Sequence, residues 1–266
     1  MRETVIGIRR EDKNEWERRV PLSPFHVAIL VKDRGYRVIV QPSDIRCFTH
    51  DEYLAAGAEI IENLSDCSLI MAVKEIPPAL LLPGKTYMFF SHTIKGQSGN
   101  MQMLKTLMDR GCTLIDYEKI HDDKKRRLVF FGRYAGLAGM IDSFWALGRR
   151  LATRGFSTPF RHIRLTHEYV DLAEAKESMK QIGQQIGRPG MVPELGPIIC
   201  GFAGYGHVSG GAQEIFDILP HETIEPEKIE EVAKTTGRTD RLDKVIFREE
   251  HMVERIEDRG FDLQEY

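Results

Sequence analysis

Pro197-Ile198-Ile199-Cys200-Gly201-Phe202-Ala203-Gly204-Tyr205-Gly206-His207-Val208-Ser209-Gly210-Gly211-Ala212 decides the fold. A short apolar strand runs into clustered glycines, and a helix-like stretch, 213–219, follows. A dinucleotide site needs that order. Glycines permit the tight turn and let backbone approach a pyrophosphate, whose charge then sits at the helix N-terminus. Gly204-x-Gly206-x-x is followed by Ser209 where a third glycine belongs, so an ordinary glycine-rich turn stays open on this stretch alone. The residues upstream carry the reading further.

With 266 residues the chain can form one large domain or two modest ones. Its 42% hydrophobic and 29% charged content belongs to a globular protein rather than a disordered or fibrous one. The 37 basic and 40 acidic residues are interspersed and sum to −3, which leaves no basic footprint for nucleic acid. Lys124-Lys125-Arg126-Arg127 leads into the strand-like Leu128-Val129-Phe130-Phe131 and reads as a solvated hairpin tip. Cys47, Cys67, Cys112 and Cys200 form no CxxC pair, which fits a reducing, cytoplasmic setting. No apolar run reaches the roughly 18–20 residues of a membrane span. The first residues open straight into a strand, so neither a signal nor a transit peptide is expected. Among nine histidines there is no HExxH or paired-ligand spacing, and no metal is expected.

Strand and helix patterns alternate along the chain. Residues 4–8, 36–40, 68–73, 86–90 and 113–116 read as buried strands. Ser23-Pro24 predicts a helix start, with the helix running through Val31 and closed by Gly35, while Asp51 is expected to cap a short helix around 53–56. A further helix spans 101–108. Apolar runs of strand length separated by helices argue for a parallel sheet covered on both faces. From Tyr134 to Arg154 the pattern is one long helix, a length that commonly crosses between lobes; 171–186 is amphipathic and ends at Gly187 and Pro189. Beyond the glycine turn, 226–233 reads as a helix and 244–247 as a strand. A nucleotide lobe normally needs five or six strands, so the second lobe is expected to be incomplete. The expected division is 1–133 for a substrate lobe and 134–266 for the linking helix and a partial dinucleotide lobe.

Three segments follow predicted strands: Glu17-Arg18-Arg19-Val20-Pro21, Val73-Lys74-Glu75-Ile76-Pro77 and Phe90-Ser91-His92-Thr93-Ile94-Lys95. Open α/β sheets bind ligands outside the carboxyl ends of their strands. These loops should therefore gather Arg19, Lys74, His92 and Lys95 in one cleft, with Glu75 beside them. Each residue taken singly has an ordinary structural reading. Together they suit an anionic carboxylate substrate and proton transfer near neutral pH.

Arg9-Arg10-Glu11-Asp12 with Trp16-Glu17-Arg18-Arg19, the stretch Phe89–Lys95, Leu114-Ile115-Asp116-Tyr117-Glu118-Lys119, Tyr134-Ala135-Gly136-Leu137-Ala138-Gly139-Met140, Thr158-Pro159-Phe160 and the glycine turn with Ala212-Gln213 carry a further signal. This combination resembles the alanine dehydrogenase/pyridine nucleotide transhydrogenase superfamily. More closely, it resembles the lysine–2-oxoglutarate reductase domain of the saccharopine dehydrogenases. The resemblance covers nearly the whole chain and implies that it stops well short of the family domain's usual end. It implies an α/β protein with two Rossmann-like lobes of mainly parallel sheets, the second incomplete. It also implies a reductive condensation of L-lysine with 2-oxoglutarate to saccharopine, or the reverse. By the same likeness Lys74 and His92 form the acid–base pair, Lys74 for the substrate amine and His92 for the carbinolamine oxygen. Arg19, Lys95 and Arg127 match positions that hold substrate carboxylates. Glu75 and Glu118 match acidic positions that engage a substrate ammonium or orient Lys74.

Gly204, Gly206, His207, Val208, Ser209 and Gly211 are the expected cofactor-binding residues. An acidic residue about 20 positions past the turn, Glu222 or Glu225, favours a free ribose hydroxyl and hence NAD. The lysine-forming branch generally uses NADPH, and NADP is the weightier expectation, with NAD open and Glu225 the assigned contact. Another amino-acid dehydrogenase of the superfamily, alanine dehydrogenase-like, and a non-catalytic substrate-binding module are the alternatives. Small molecules are the expected partners, with no nucleic acid or membrane; an oligomer is compatible, and a eukaryotic source would imply the mitochondrial matrix.

Overall fold

A computed structural model describes residues 4–235, 239–254, 256 and 261–263. The chain divides into two compact units, Met1–Phe130 and Phe131–Tyr266. The first is built on six parallel strands: β1 (Val5–Ile8), β2 (Arg37–Val40), β3 (Glu59–Ile60), β4 (Leu69–Met71), β5 (Thr86–Phe89) and β6 (Thr113–Asp116). They lie in the order β3-β2-β1-β4-β5-β6. All four residues of β1 are buried, as expected for a central strand covered on both faces. The direction of strand addition reverses between β1 and β4, and Ile8 pairs with both Val40 and Met71. Such a switch point leaves a crevice at the carboxyl ends of the two strands.

The helices of this unit depart in detail from the sequence pattern. Helix α1 (Pro24–Ala28) continues into a wide π-helical turn, Ile29–Asp33, so the helical run does pass through Val31, with its last turn widened. The Tyr36 amide reaches back to the Leu30 carbonyl, and Gly35, at φ +69°, turns the chain into β2. Helix α2 (His50–Ala55) is capped by Thr49 rather than Asp51. The Thr49 hydroxyl accepts from the Glu52 amide while the Glu52 carboxylate accepts from the Thr49 amide, a reciprocal box that fixes the start two residues earlier. Helix α3 (Ser98–Asp109) precedes β6. Residues 128–131 form no strand: the segment is tied down by a lone antiparallel bridge, His121 to Arg127, around a turn in which Lys125 has φ +60°.

The second unit holds α4 (Gly132–Thr153), α5 (Leu172–Gly187), β7 (Ile199–Ala203), α6 (His207–Phe216), β8 (His221–Thr223), α7 (Ile229–Ala233) and β9 (Leu242–Phe247). Asp171 caps α5 by accepting from the Glu174 amide. The long helix α4 belongs wholly to this unit and lies against α6. A Cβ on Gly136 would fall 1.9 Å from the Val208 carbonyl oxygen, and one on Gly211 would fall 2.0 Å from that of Arg133. Neither side of this crossing tolerates a side chain. The three strands are parallel and ordered β7-β9-β8. Phe202 packs with α4, α5 and α6 on one face, and Val245 packs with Val232 of α7 on the other. No helix among the described residues is long and apolar enough to cross a membrane.

Candidate active site

Glu11, on the loop after β1, crosses the switch point. Its carboxylate accepts the Val73 amide at 2.6 Å and the Lys74 amide at 3.0 Å, so it closes off the end of β4. Burial pushes this carboxyl above its ordinary range, against the pull of the two amides. Glu17, also buried, receives Arg19 through Nε at 2.7 Å and Nη2 at 2.6 Å. Burial works against its charge, but the Arg19 guanidinium and amide, with help from Lys74, hold it below the usual carboxylate range. Arg19 and Lys74 are thus brought together around the Glu11–Glu17 pair.

The end of β5 is held as firmly. Ser91 is fully buried; its hydroxyl bonds Asp116 at the end of neighbouring β6 and lies 2.7 Å from Thr93 Oγ1. His92 follows with φ +49°, a left-handed conformation that costs a non-glycine residue energy and is kept only where the surroundings impose it. Its ring stacks on Phe90 at 6.2 Å, and its carbonyl accepts from Asn100 Nδ2 at 3.2 Å. Its Nδ1 lies 2.6 Å from Glu75 Oε1, and Lys13 Nζ donates to Glu75 Oε2 at 2.7 Å. Burial alone would raise the Glu75 carboxyl, yet Lys13, its own backbone amide and His92 bring it down to about 2. A carboxylate on Nδ1 selects the tautomer that protonates that nitrogen and leaves Nε2 as the exchanging site.

Four of the predicted residues, Arg19, Lys74, Glu75 and His92, therefore meet at the carboxyl ends of β1, β4 and β5. Glu75 holds His92 and Lys13 through its two carboxylate oxygens. Lys95 lies exposed in the loop beyond His92, where its amide donates to Gln97. Glu118 and Arg127 sit beyond β6, 3.5 Å apart, with Arg127 Nη2 also donating to the Val129 carbonyl. The Asp116 carboxylate links their loop to Ser91 by accepting the Glu118 amide at 2.8 Å. Glu11, Lys13 and Glu17 had no assigned role in the sequence reading, although Glu11 and Glu17 stand within its quoted motifs.

In the second unit Gly204 has φ +85°, and Gly206 precedes the first residue of α6 with no side chain capping the helix. A Cβ on either glycine would meet nothing within 4 Å, so the turn presents open backbone. Val208 and Ser209 line a cavity shared with Gly139, Ser143 and Cys200. An uncapped helix start behind a left-handed glycine fits a dinucleotide pyrophosphate. Gly211, expected beside the cofactor, instead faces the Arg133 carbonyl and serves the crossing with α4. Glu225, expected at the ribose, follows β8 and is separated from the glycine turn by β9. No cluster among the described residues could hold a metal ion.

A six-stranded switch-point unit with a cluster of charged side chains and a histidine at its strand ends is followed by a unit with a glycine turn at a helix start. Residues 7–138 match the family described as "Alanine dehydrogenase/PNT, N-terminal domain". The chain is similar to a solved L-alanine dehydrogenase, with a TM-score of 0.57, 21% identity, and coverage of 92% of this chain and 61% of that one, a likeness of fold. It is 41% identical over 262 residues to the mitochondrial alpha-aminoadipic semialdehyde synthase of Rattus norvegicus, covering 98% of this chain and 28% of that protein. It is 30% identical over 194 residues to the saccharopine dehydrogenase [NAD(+), L-lysine-forming] of Neurospora crassa, covering 71% of this chain and 51% of the relative. Over residues 7–138 the chain is thus similar to an alanine dehydrogenase/PNT N-terminal domain, and over nearly its whole length to part of an alpha-aminoadipic semialdehyde synthase. It spans between about a quarter and a half of the length of these two curated relatives.

Proposed function

We propose that this chain carries the lysine–2-oxoglutarate reductase site: reductive condensation of L-lysine with 2-oxoglutarate to saccharopine, or its reverse. The observation that carries the proposal is the junction of Arg19, Lys74, Glu75 and His92 at one sheet edge, in a chain 41% identical to an alpha-aminoadipic semialdehyde synthase. Arg19, already aligned by Glu17, offers a planar fork for a keto-acid carboxylate. Lys74, its backbone fixed by Glu11, takes the proton released when the lysine ε-amine attacks the keto carbon. His92, its Nδ1 held by Glu75, uses Nε2 to protonate the carbinolamine oxygen so that water leaves. The nicotinamide cofactor, when bound, supplies the hydride that reduces the resulting imine. Gly204, Gly206, His207, Val208 and Ser209 hold its pyrophosphate. Lys95, Glu118 and Arg127, on the loops beyond β5 and β6, receive the distal carboxylate and ammonium groups. NADPH is the proposed cofactor, while the Neurospora crassa relative is described as NAD(+)-dependent.

Calorimetric titration separates this reading from its alternatives. The site should bind 2-oxoglutarate in preference to pyruvate, and Arg19→Ala should weaken that binding by on the order of 10-fold or more. A preference for pyruvate would favour an alanine dehydrogenase-like activity. Binding of 2-oxoglutarate with none of the nucleotide would favour a non-catalytic module.

A further inference from the structure

The register of the second sheet moves the ribose-facing position away from both acidic residues that the sequence spacing proposes. In the usual dinucleotide lobe, the strand next to the glycine strand ends beside the first glycine. A carboxylate there accepts from the ribose 2′-hydroxyl, whereas a nearby arginine receives a 2′-phosphate. Here the neighbour of β7 is β9, not β8. Ala203 pairs with Phe247, and the Gly204 amide donates to the Phe247 carbonyl at 2.8 Å. The residue drawn level with Gly204 is therefore Arg248.

Two further observations fix this corner. The Tyr205 hydroxyl donates to Glu249 Oε2 at 3.2 Å, which ties the glycine turn to the segment following β9. The neighbouring Glu249 carboxylate raises the Tyr205 pKa, with Arg248 opposing it. Arg248 itself is exposed. The acidic candidates lie elsewhere. Glu222 is opposite Asp243, whose other partner is Ile199, so it stands at the far end of the sheet. Four residues separate that level from Ala203, roughly 13 Å at the rise of a strand. Glu222 also pairs with Arg241 at 3.3 Å. Glu225 is two strand spacings from β7, roughly 10 Å.

The geometry points to Arg248 as the residue that binds the 2′-phosphate of the nucleotide, making this lobe selective for the phosphorylated dinucleotide. The inference rests on the glycine turn being a nucleotide site. Right-handed crossovers support the placement: α6 covers one face on the way to β8 and α7 covers the other on the return to β9, which sets both strands on the ribose side of β7.

The test is equilibrium binding of adenosine 2′,5′-bisphosphate and of 5′-AMP to the whole chain, since these probes occupy only the adenosine half of the site. The wild type should prefer the bisphosphate by on the order of 10-fold or more. Arg248→Ala and Arg248→Gln should each weaken it by on the order of 10–100-fold and alter 5′-AMP binding by less than about 2-fold. Glu225→Ala should change neither. Equal wild-type affinity for the two probes, an intact preference in Arg248→Ala, or parallel loss of both probes would overturn the assignment while leaving the nucleotide site standing. Binding of neither probe by the wild type would overturn the nucleotide reading and this inference with it.

Discussion

Glu75 divides its two carboxylate oxygens between two loops: Oε1 lies 2.6 Å from His92 Nδ1 and Oε2 accepts from Lys13 Nζ at 2.7 Å. One side chain thus ties the ends of β1, β4 and β5 together and orients the imidazole proposed for acid–base work. Removing the carboxylate while keeping the shape, Glu75→Gln, should lower kcat by roughly 10–100-fold, as loss of an orienting partner does elsewhere. KM for 2-oxoglutarate should change far less. Steady-state kinetics beside NMR of the His92 ring nitrogens tests both halves: the variant should lose the single Nδ1–H tautomer.

The same carboxyl carries a pH signature. Its folded pKa is depressed to about 2 from an ordinary value near 4.5. Its contribution to stability is therefore complete above about pH 4.5 and drains away as pH falls toward 2. Denaturant melts of wild type and Glu75→Gln should differ by a constant amount from about pH 7 to 5 and converge below that. A gap that widens on acidification would contradict the assignment.

Backbone strain at His92 predicts an unusual ranking. Glycine relieves the φ of +49°, while alanine does not. Both His92→Gly and His92→Ala should lose roughly 10²-fold or more in turnover. The glycine variant should nevertheless be the more stable of the two by about 1 kcal/mol, read from chemical denaturation.

Glu11→Ala leaves the Val73 and Lys74 amides without their acceptor at the switch point. A loss of about 2–4 kcal/mol is expected from two unpaired amides. Turnover should drop even under conditions where the variant remains folded, because Lys74 is displaced.

Gly211→Ala should be among the most destabilising single methyl additions in the second unit, since its Cβ would stand 2.0 Å from the Arg133 carbonyl oxygen. A cost of about 3 kcal/mol or more is expected. Alanine at Gly210, where a Cβ meets nothing within 4 Å, should be tolerated.

Legibility in the sequence followed the range of the interaction. Buried parallel strands announce themselves as apolar runs, and β1, β2, β4, β5, β6, β7 and most of β9 were readable. The two-residue β3 is too short to register a period, although an Arg37–Glu59 pair secures it to β2, and β8, His221-Glu222-Thr223, has no apolar side chain to mark it. The cap of α2 was misplaced because Asp51 and Thr49 both qualify by type, and only the reciprocal bonds of Thr49 and Glu52 choose between them. Within the site, Lys74 and His92 were marked by their strand-end positions. The bonds from Glu75 to His92 and Lys13, and from Glu11 to the end of β4, join residues distant in sequence, and no local pattern encodes them. The Glu225 expectation presumes that the strand next in sequence is also the neighbouring one, whereas β9 lies between β7 and β8.

The most direct test of the central claim is NADPH consumption by a protein containing this chain, with lysine plus 2-oxoglutarate and separately with pyruvate plus ammonia, for wild type, Lys74→Met and His92→Ala. The account predicts oxidation with the first pair only, falling by roughly 10²-fold or more in each variant. Wild-type rates in both variants, or equal turnover of the second pair, would contradict it.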